Sequence, residues 1–260
     1  MKGGAAPETP PPDSEIICGI HPVAECLRAG RRRLWEVFAI RRHTSRRLQS
    51  VLDAAAARRV PVHRVSRRHL ERLALSELHQ GICARVAPYP FVALADILAV
   101  AAPADTLFLV VLDQIVDGQN LGSLARTALC AGVSGMLITR RRSAPVRAAV
   151  CRASAGAVEH LRIARVNNLA YALKQLKHQR IWVAGLDADA PQSIFETDLG
   201  GPIALVIGGE QKGIRPLVRS ACDFLVSIPR QGAFDSLNAA AAGAVGLYEI
   251  YRQRMCAQDA

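Results

Sequence analysis

The chain has 260 residues, half of them apolar, and a formal net charge of +11. That length holds one large domain or two ordinary ones with an adequate core, and no apolar run approaches the ~20 residues a membrane-crossing helix needs. Seven cysteines are scattered without a CxxC pair or a Cys/His cluster at metal spacing, which argues for free thiols in a reducing cytoplasm and against bound metal.

Residues 1–15 open as a Gly/Pro tail, MKGGAAPETPPPD, without the apolar core of a secretion signal, and are expected to be disordered. Residues 16–87 form the first module. ICGIHPVAECLRAG gives a turn and a helix stopped at Gly30; WEVFAI is a strand and SRRLQSVLDAAAARR a helix with Leu48, Val51 and Leu52 on one face. VPVHRV is a strand, SRRHLERLALSEL a helix with Ser66 as N-cap, and HQGICARV a turn leading into a strand. Such alternation predicts a small α/β sandwich. His21 and His79 sit beside turns and read as residues that fix those turns by hydrogen bonding. Between Arg28 and Arg72 there are 14 arginines and no lysine against three carboxylates, while the rest of the chain is close to neutral. The guanidinium fork matches phosphate oxygens, so this segment favours phosphate contact over a merely solvated basic surface.

Residues 88–104 read as a linker, three prolines around one short apolar helix. The second domain spans 105–256. Phe108–Leu112 is apolar throughout, as a strand inside a parallel sheet would be. Asp117-Gly118 marks a turn, and Leu121–Ala131 fits a helix ended by Gly132. Asn120 lies where it would cap that helix. Arg126 falls off the apolar stripe, so periodicity alone makes it a solvated residue. Met136–Thr139 is a strand, Pro145–Glu159 an Ala-rich helix, Leu161–Ile163 a strand, Asn168–His178 a helix, and IWVAGLDAD a strand with Gly185 near its end.

Ile203–Ile207 is a buried strand that runs into Gly208-Gly209-Glu210. Phe224–Ile228 is another, stopped at Pro229, and its loop delivers Ser236-Leu237-Asn238 to a helix predicted over Ser236–Arg254. Two strand ends and one helix start, each with free backbone groups, suit a small-molecule pocket in an α/β sheet. The usual signatures are missing. No GxGxxG follows a strand, GGEQKGI lacks the Ser or Thr of a P-loop, and neither GxSxG nor HExxH occurs. Residue patterns alone stop at a basic two-domain α/β protein with a glycine-lined pocket.

Three ordered segments, DGQNLGSLARTALCAGV (117–133), LVIGGEQKGI (205–214) and SIPRQGAFDSLNAAAAG (227–243), resemble the motifs of the SpoU (TrmH) family of RNA ribose 2′-O-methyltransferases. GIHPVAECL (19–27) and HQGICARV (79–86) extend the likeness to the first module, towards members that modify a guanosine of large-subunit rRNA. The resemblance implies an α/β fold whose C-terminal parallel sheet is tied in a deep trefoil knot, an L30e-like N-terminal domain that engages RNA, a homodimer, and S-adenosylmethionine as methyl donor. It implies that Gly208, Ile228 and Leu237 hold the cofactor with Thr139 and Gly185 nearby. Asn120, Arg126, Glu210, Ser236 and Asn238 match the polar catalytic set. Arginine is a poor base because its pKa exceeds ~12, so Arg126 is favoured as a phosphate clamp, with a deprotonated Arg126 as the alternative. Ser236 has two readings, helix cap and RNA contact. The same reaction on tRNA or another rRNA site, and a non-catalytic RNA-binding assembly factor, are the competing functions. Arg230 departs from the family pattern, which commonly has an apolar residue there.

Overall fold

A computed structural model of the chain describes residues 11–42, 45–100, 107–231 and 237–258. The chain divides into two compact units, 1–90 with 146–160, and 91–145 with 161–260. Most of the tail expected to be disordered lies outside the described residues.

The first unit is built on β1 (Glu15–Cys18), β2 (Leu34–Ile40), β3 (Val62–Val65) and β4 (Ile82–Val86). They run in the order β1-β4-β2-β3, with β4 antiparallel to both neighbours and β2 parallel to β3. Three helices accompany the sheet: α1 (Ile20–Ala29), α2 (Arg46–Ala57) and α3 (Arg67–Ala74). Ser45 and Ser66 cap α2 and α3, each hydroxyl accepting from the amide three residues on. Gly30 ends α1 in a left-handed conformation, as its position in the sequence predicts. Strand β1 escapes sequence reading because it is only four residues long and ends at the Gly19 turn.

The Ala-rich run 145–159 is not one helix. It forms α6 (Ala148–Ala153) and a 3₁₀ turn (Ala157–His160), broken where Ala155 and Gly156 take positive φ. Gly156 is forced there: a Cβ would lie 2.7 Å from that of Glu25. The segment completes the first unit through a buried ion pair. Arg32 Nε and Nη2 donate to Glu159 Oε2 and Oε1 at 2.9 and 2.5 Å, and both side chains are 1% exposed. Arg32 also donates to the Ala87 carbonyl, and the Cys151 thiol donates to Glu159. Burial, then the Glu159 carboxylate, pushes that thiol well above its usual pKa, so it stays protonated. Arg32, counted in the sequence among the phosphate-facing arginines, is therefore a core residue.

The second unit is a six-stranded parallel sheet in the order β10-β8-β9-β5-β6-β7. Its strands are β5 (Phe108–Asp113), β6 (Gly135–Thr139), β7 (Ile163–Val166), β8 (Trp182–Leu186), β9 (Ile203–Gly208) and β10 (Phe224–Val226). Every residue of β5 and β6 is buried, as interior parallel strands require. On one face Leu109, Val111, Leu137 and Val206 pack with Leu173 and Leu176 of α7 (Leu169–His178) and with Ile97 of α4 (Leu94–Val100). Strand β7 begins at Ile163, two residues later than the sequence suggests. Helices α5 (Gly118–Cys130) and α9 (Ala239–Gln258) pack together. Gly243 and Gly246 of α9 sit against Leu124, Ile207 and Leu205, where an added Cβ would collide. Among the described residues no helix is long and apolar enough to cross a membrane.

Candidate active site

The site lies at the carboxyl ends of β8, β9 and β5, where a parallel sheet leaves loops free to diverge. After β9 the chain turns through Gly209–Gly213, closed by the Gly213 amide donating to the Gly209 carbonyl at 2.9 Å. Arg215 fixes the far end of this loop. Its backbone amide and Nε donate to the two oxygens of Asp113 at 2.9 and 2.8 Å, and Asp113 is fully buried at the end of β5. Sequence patterns do not reveal this pair. The available signal is a carboxylate ending an otherwise apolar strand.

A cavity of about 310 Å³ opens beside the loop. Leu186, Ile207, Ile214, Ile228 and Leu237 give it apolar walls, and Asp187, Asp189 and Glu210 supply carboxylates. Arg230 also lines it, its Nη2 donating to the Ala188 carbonyl at 3.0 Å. Gly208 permits the loop to pass: a Cβ there would lie 2.1 Å from the carbonyl carbon of Gly213. No rotamer relieves a clash with backbone. Gly208→Ala should therefore cost about 1–3 kcal/mol of stability, as overpacking does, which thermal melting would measure.

Three polar side chains meet at the rim. Asn120 is buried, two residues into α5, and its Nδ2 donates to Glu210 Oε1 at 2.9 Å. It does not cap α5, because Asp117 does, accepting from the Gln119 amide. Asn238 heads α9: its Oδ1 accepts from the amides of Ala240 and Ala241 at 2.9 and 3.2 Å. Capping fixes which end of the amide is oxygen. Its Nδ2 is thereby committed to donate, to Asn120 Oδ1 at 3.0 Å and to Glu210 Oε1. The carboxylate of Glu210 is held between two helix starts and a strand end.

Glu210 also faces a second cavity of about 290 Å³, lined by Gln114, Asp117, Asn120, Arg142 and Lys212 among others. Gly209, Glu210, Lys212 and Gly213 are common to both cavities. Nothing in the sequence singles out Lys212 or Arg142 beyond the basic run 140–142. The structure thus gathers Gly208, Glu210, Ile228 and Leu237 around the first cavity, with Asn120 and Asn238 bonded to Glu210. Thr139 and Gly185 are buried and line neither cavity; Thr139 bonds Ser143 instead. Arg126 is exposed on α5, lines neither cavity, and makes no ion pair among the described residues. Ser236 lies outside the described residues.

A half-apolar cavity with carboxylates at parallel strand ends, beside a pinned polar trio, defines an α/β enzyme domain that binds a small organic molecule. A model of the SpoU rRNA methylase family matches residues 107–248, and one for RNA 2′-O ribose methyltransferase substrate binding matches residues 16–92. The chain belongs to the SpoU family and is an RNA 2′-O-methyltransferase. It is 43% identical to a Mycolicibacterium vanbaalenii protein named as an uncharacterized tRNA/rRNA methyltransferase, over 94% of this chain and 78% of that one. It is 39% identical to the 23S rRNA (guanosine-2′-O-)-methyltransferase RlmB of Pasteurella multocida, over 93% of this chain and 99% of that one. Its fold is similar to the SpoU methyltransferase AviRb of Streptomyces viridochromogenes in complex with AdoMet, with a TM-score of 0.80, 26% identity, and 94% and 91% of the two chains covered.

Proposed function

We propose that this enzyme methylates the 2′-hydroxyl of a guanosine in large-subunit rRNA, using S-adenosylmethionine, in the cytoplasm and as a homodimer. The observation that carries the reading is the bonded trio Asn120–Glu210–Asn238 on the rim of the cofactor-sized cavity. At about 310 Å³ that cavity is within the range of small-molecule sites. Its apolar walls suit a purine ring, and its carboxylates suit a donor that carries positive charge. When bound, S-adenosylmethionine supplies an electrophilic methyl group. Gly208, Ile228 and Leu237 would hold it, largely through backbone groups.

This chain's residues then have positioning as their main task. The second cavity takes the target nucleotide, with Lys212 and Arg142 facing its phosphates. Glu210, fixed by two amides, orients the ribose, and Asn120 and Asn238 keep the carboxylate from swinging. Arg126 clamps the adjoining phosphate and balances the charge that develops on the ribose oxygen as its proton leaves. The division into a 16–87 RNA-binding L30e-like domain, an 88–104 linker and a knotted 105–256 catalytic domain belongs to the same proposal. So does a dimer, for which the exposed Tyr248, Tyr251 and Met255 of α9 offer surface.

Mapping of 2′-O-methylation across rRNA and tRNA, with and without the protein, tests the substrate. A single guanosine of 23S rRNA losing its mark is expected; a tRNA position losing it instead would overturn the assignment. RNA affinity should fall with salt, the slope tracking the number of phosphates neutralised. Replacing the exposed Arg46 and Arg68 by Ala should flatten that slope by about 1–2, measured by filter binding across a salt series.

A further inference from the structure

Cys18 of β1 and Cys83 of β4 face each other as partners in the antiparallel ladder. On the next rung the Gly19 amide donates to the Ile82 carbonyl at 3.1 Å. Bonding there makes Cys18–Cys83 the non-hydrogen-bonded kind of pair, in which Cα atoms lie about 4.5 Å apart and side chains come closest. Both side chains leave the same face of the sheet, in one cluster with Phe38 and Leu70. A disulfide spans Cα separations of about 4.4–6.8 Å. A bond between these two sulfurs is therefore within reach of the ladder as it stands.

The two thiols are not equivalent. Cys83 is fully buried, whereas Cys18 is 8% exposed and lines a cavity of about 280 Å³ with His21, Gln80 and Arg152. Burial pushes the thiols of Cys26 and Cys222 up to about 12, and that of Cys151 well above its usual value. Cys18 goes the other way. The Cys83 thiol, as hydrogen-bond donor, lowers its pKa; burial opposes this, and the Arg152 charge adds to the lowering. The same bond, and then burial, raise Cys83. A sulfur inclined to ionise, at a cavity wall beside a cation and backed by a protonated thiol, is the arrangement of a peroxide-reactive cysteine with its resolving partner.

We propose that Cys18 and Cys83 are a redox modification site, joined by a reversible disulfide when the protein meets hydrogen peroxide. The Cys18 thiolate attacks one peroxide oxygen, the O–O bond breaks, and the departing hydroxide takes a proton from water. Cys18 is then a sulfenic acid. The Cys83 sulfur attacks the Cys18 sulfur, the S–O bond breaks, and the hydroxide leaves as water with the Cys83 proton. Two thiols are oxidised by two electrons in all, and one peroxide is reduced to two waters. In a reducing cytoplasm such a bond is transient and redox-sensing. It also keeps Cys18 from the irreversible sulfinic state.

The test uses the full chain with the exposed Cys130 and Cys256 replaced by Ser, which leaves five of the seven thiols. The reduced protein is treated with a small excess of hydrogen peroxide beside free glutathione, then unfolded and alkylated with N-ethylmaleimide. Its intact mass counts the thiols left. Two thiols should be lost and should return with dithiothreitol, and fragmentation of the linked peptides should join Cys18 to Cys83. Five alkylated thiols after the glutathione has been consumed would overturn the proposal. So would a link between any other pair, or Cys18 carried to the sulfinic acid with Cys83 still free. Cys83→Ser should leave Cys18 as a sulfenic acid that dimedone captures, and Cys18→Ser should leave Cys83 unoxidised; the reverse pattern would overturn the order of steps. If a substituted chain fails to bind S-adenosylmethionine and so has not folded, the same linkage map on the unsubstituted chain decides alone.

Discussion

Arg126→Ala is expected to lower the methylation rate by about 10²–10³, the loss seen when one preorganised charge-stabilising group is removed. Its affinity for S-adenosylmethionine should stay within about twofold, because Arg126 lines neither cavity at the strand ends. The effect should therefore fall on turnover and on RNA, and single-turnover kinetics at saturating cofactor isolates it. Arg126→Lys separates the two roles considered for this side chain. A clamp tolerates an ammonium in part, and the rate should recover to within about tenfold of the original. A guanidine acting as base would give a pH–rate profile that moves with the substituted amine. Unchanged turnover in Arg126→Ala removes the residue from the mechanism.

The second large effect is on stability. Glu159→Gln leaves the buried Arg32 with only the more distant Glu15 carboxylate, at 3.3 Å, as counter-ion and should cost up to about 3–5 kcal/mol. For a chain of this size that lowers the melting temperature by about 6–20 °C. The double change Arg32→Met/Glu159→Leu should regain most of the loss, since well-packed apolar residues commonly replace a buried pair at little cost. A single variant that melts with the parent would mean the pair is not sequestered in solution. Truncation follows from the same contact. Removing residues 1–88 strips Glu159 of Arg32 and uncovers Val150 and Val158, both buried among the residues of the first unit. The remainder should bind S-adenosylmethionine weakly or aggregate, so loss of RNA binding in such a truncation does not by itself assign the RNA-reading role.

What can be read from the sequence follows the range of the interactions. The apolar runs Phe108–Leu112 of β5 and Ile203–Ile207 of β9, the Ser caps of α2 and α3, and the Gly30 stop are local, and each is written within a few residues. Gly208, Gly209 and Glu210, which line the first cavity, are legible through motif order. The Asn120–Glu210–Asn238 trio joins positions 118 residues apart, and the motifs give its members without their bonds. Asn120 reads as a cap in the sequence, but the helix starts earlier, at Gly118, with Asp117 as its cap, so Asn120 lies inside the first turn. The Arg32–Glu159 pair spans 127 residues and carries no local signal, which is why Arg32 groups with the surface arginines in the sequence. The Ala-rich run 145–159 has no helix breaker between Pro145 and Gly156, and the break comes from packing against Glu25 and His21 that propensity does not contain.

The return of residues 146–160 to the first unit has a consequence for biosynthesis. When Pro90 leaves the ribosome, Arg32 and Glu15 are already present, and Glu159, which takes two of the Arg32 hydrogen bonds, has yet to be translated. At about 5–20 residues per second, the missing piece arrives roughly 4–14 s later. During that interval the nascent amino-terminal sheet carries a guanidinium whose Nε and Nη2 lack their carboxylate, and an open apolar flank, a natural place for a chaperone to engage or for aggregation to start. Codon choice or pausing between positions 90 and 160 would therefore influence the yield of folded enzyme more than pausing after position 160.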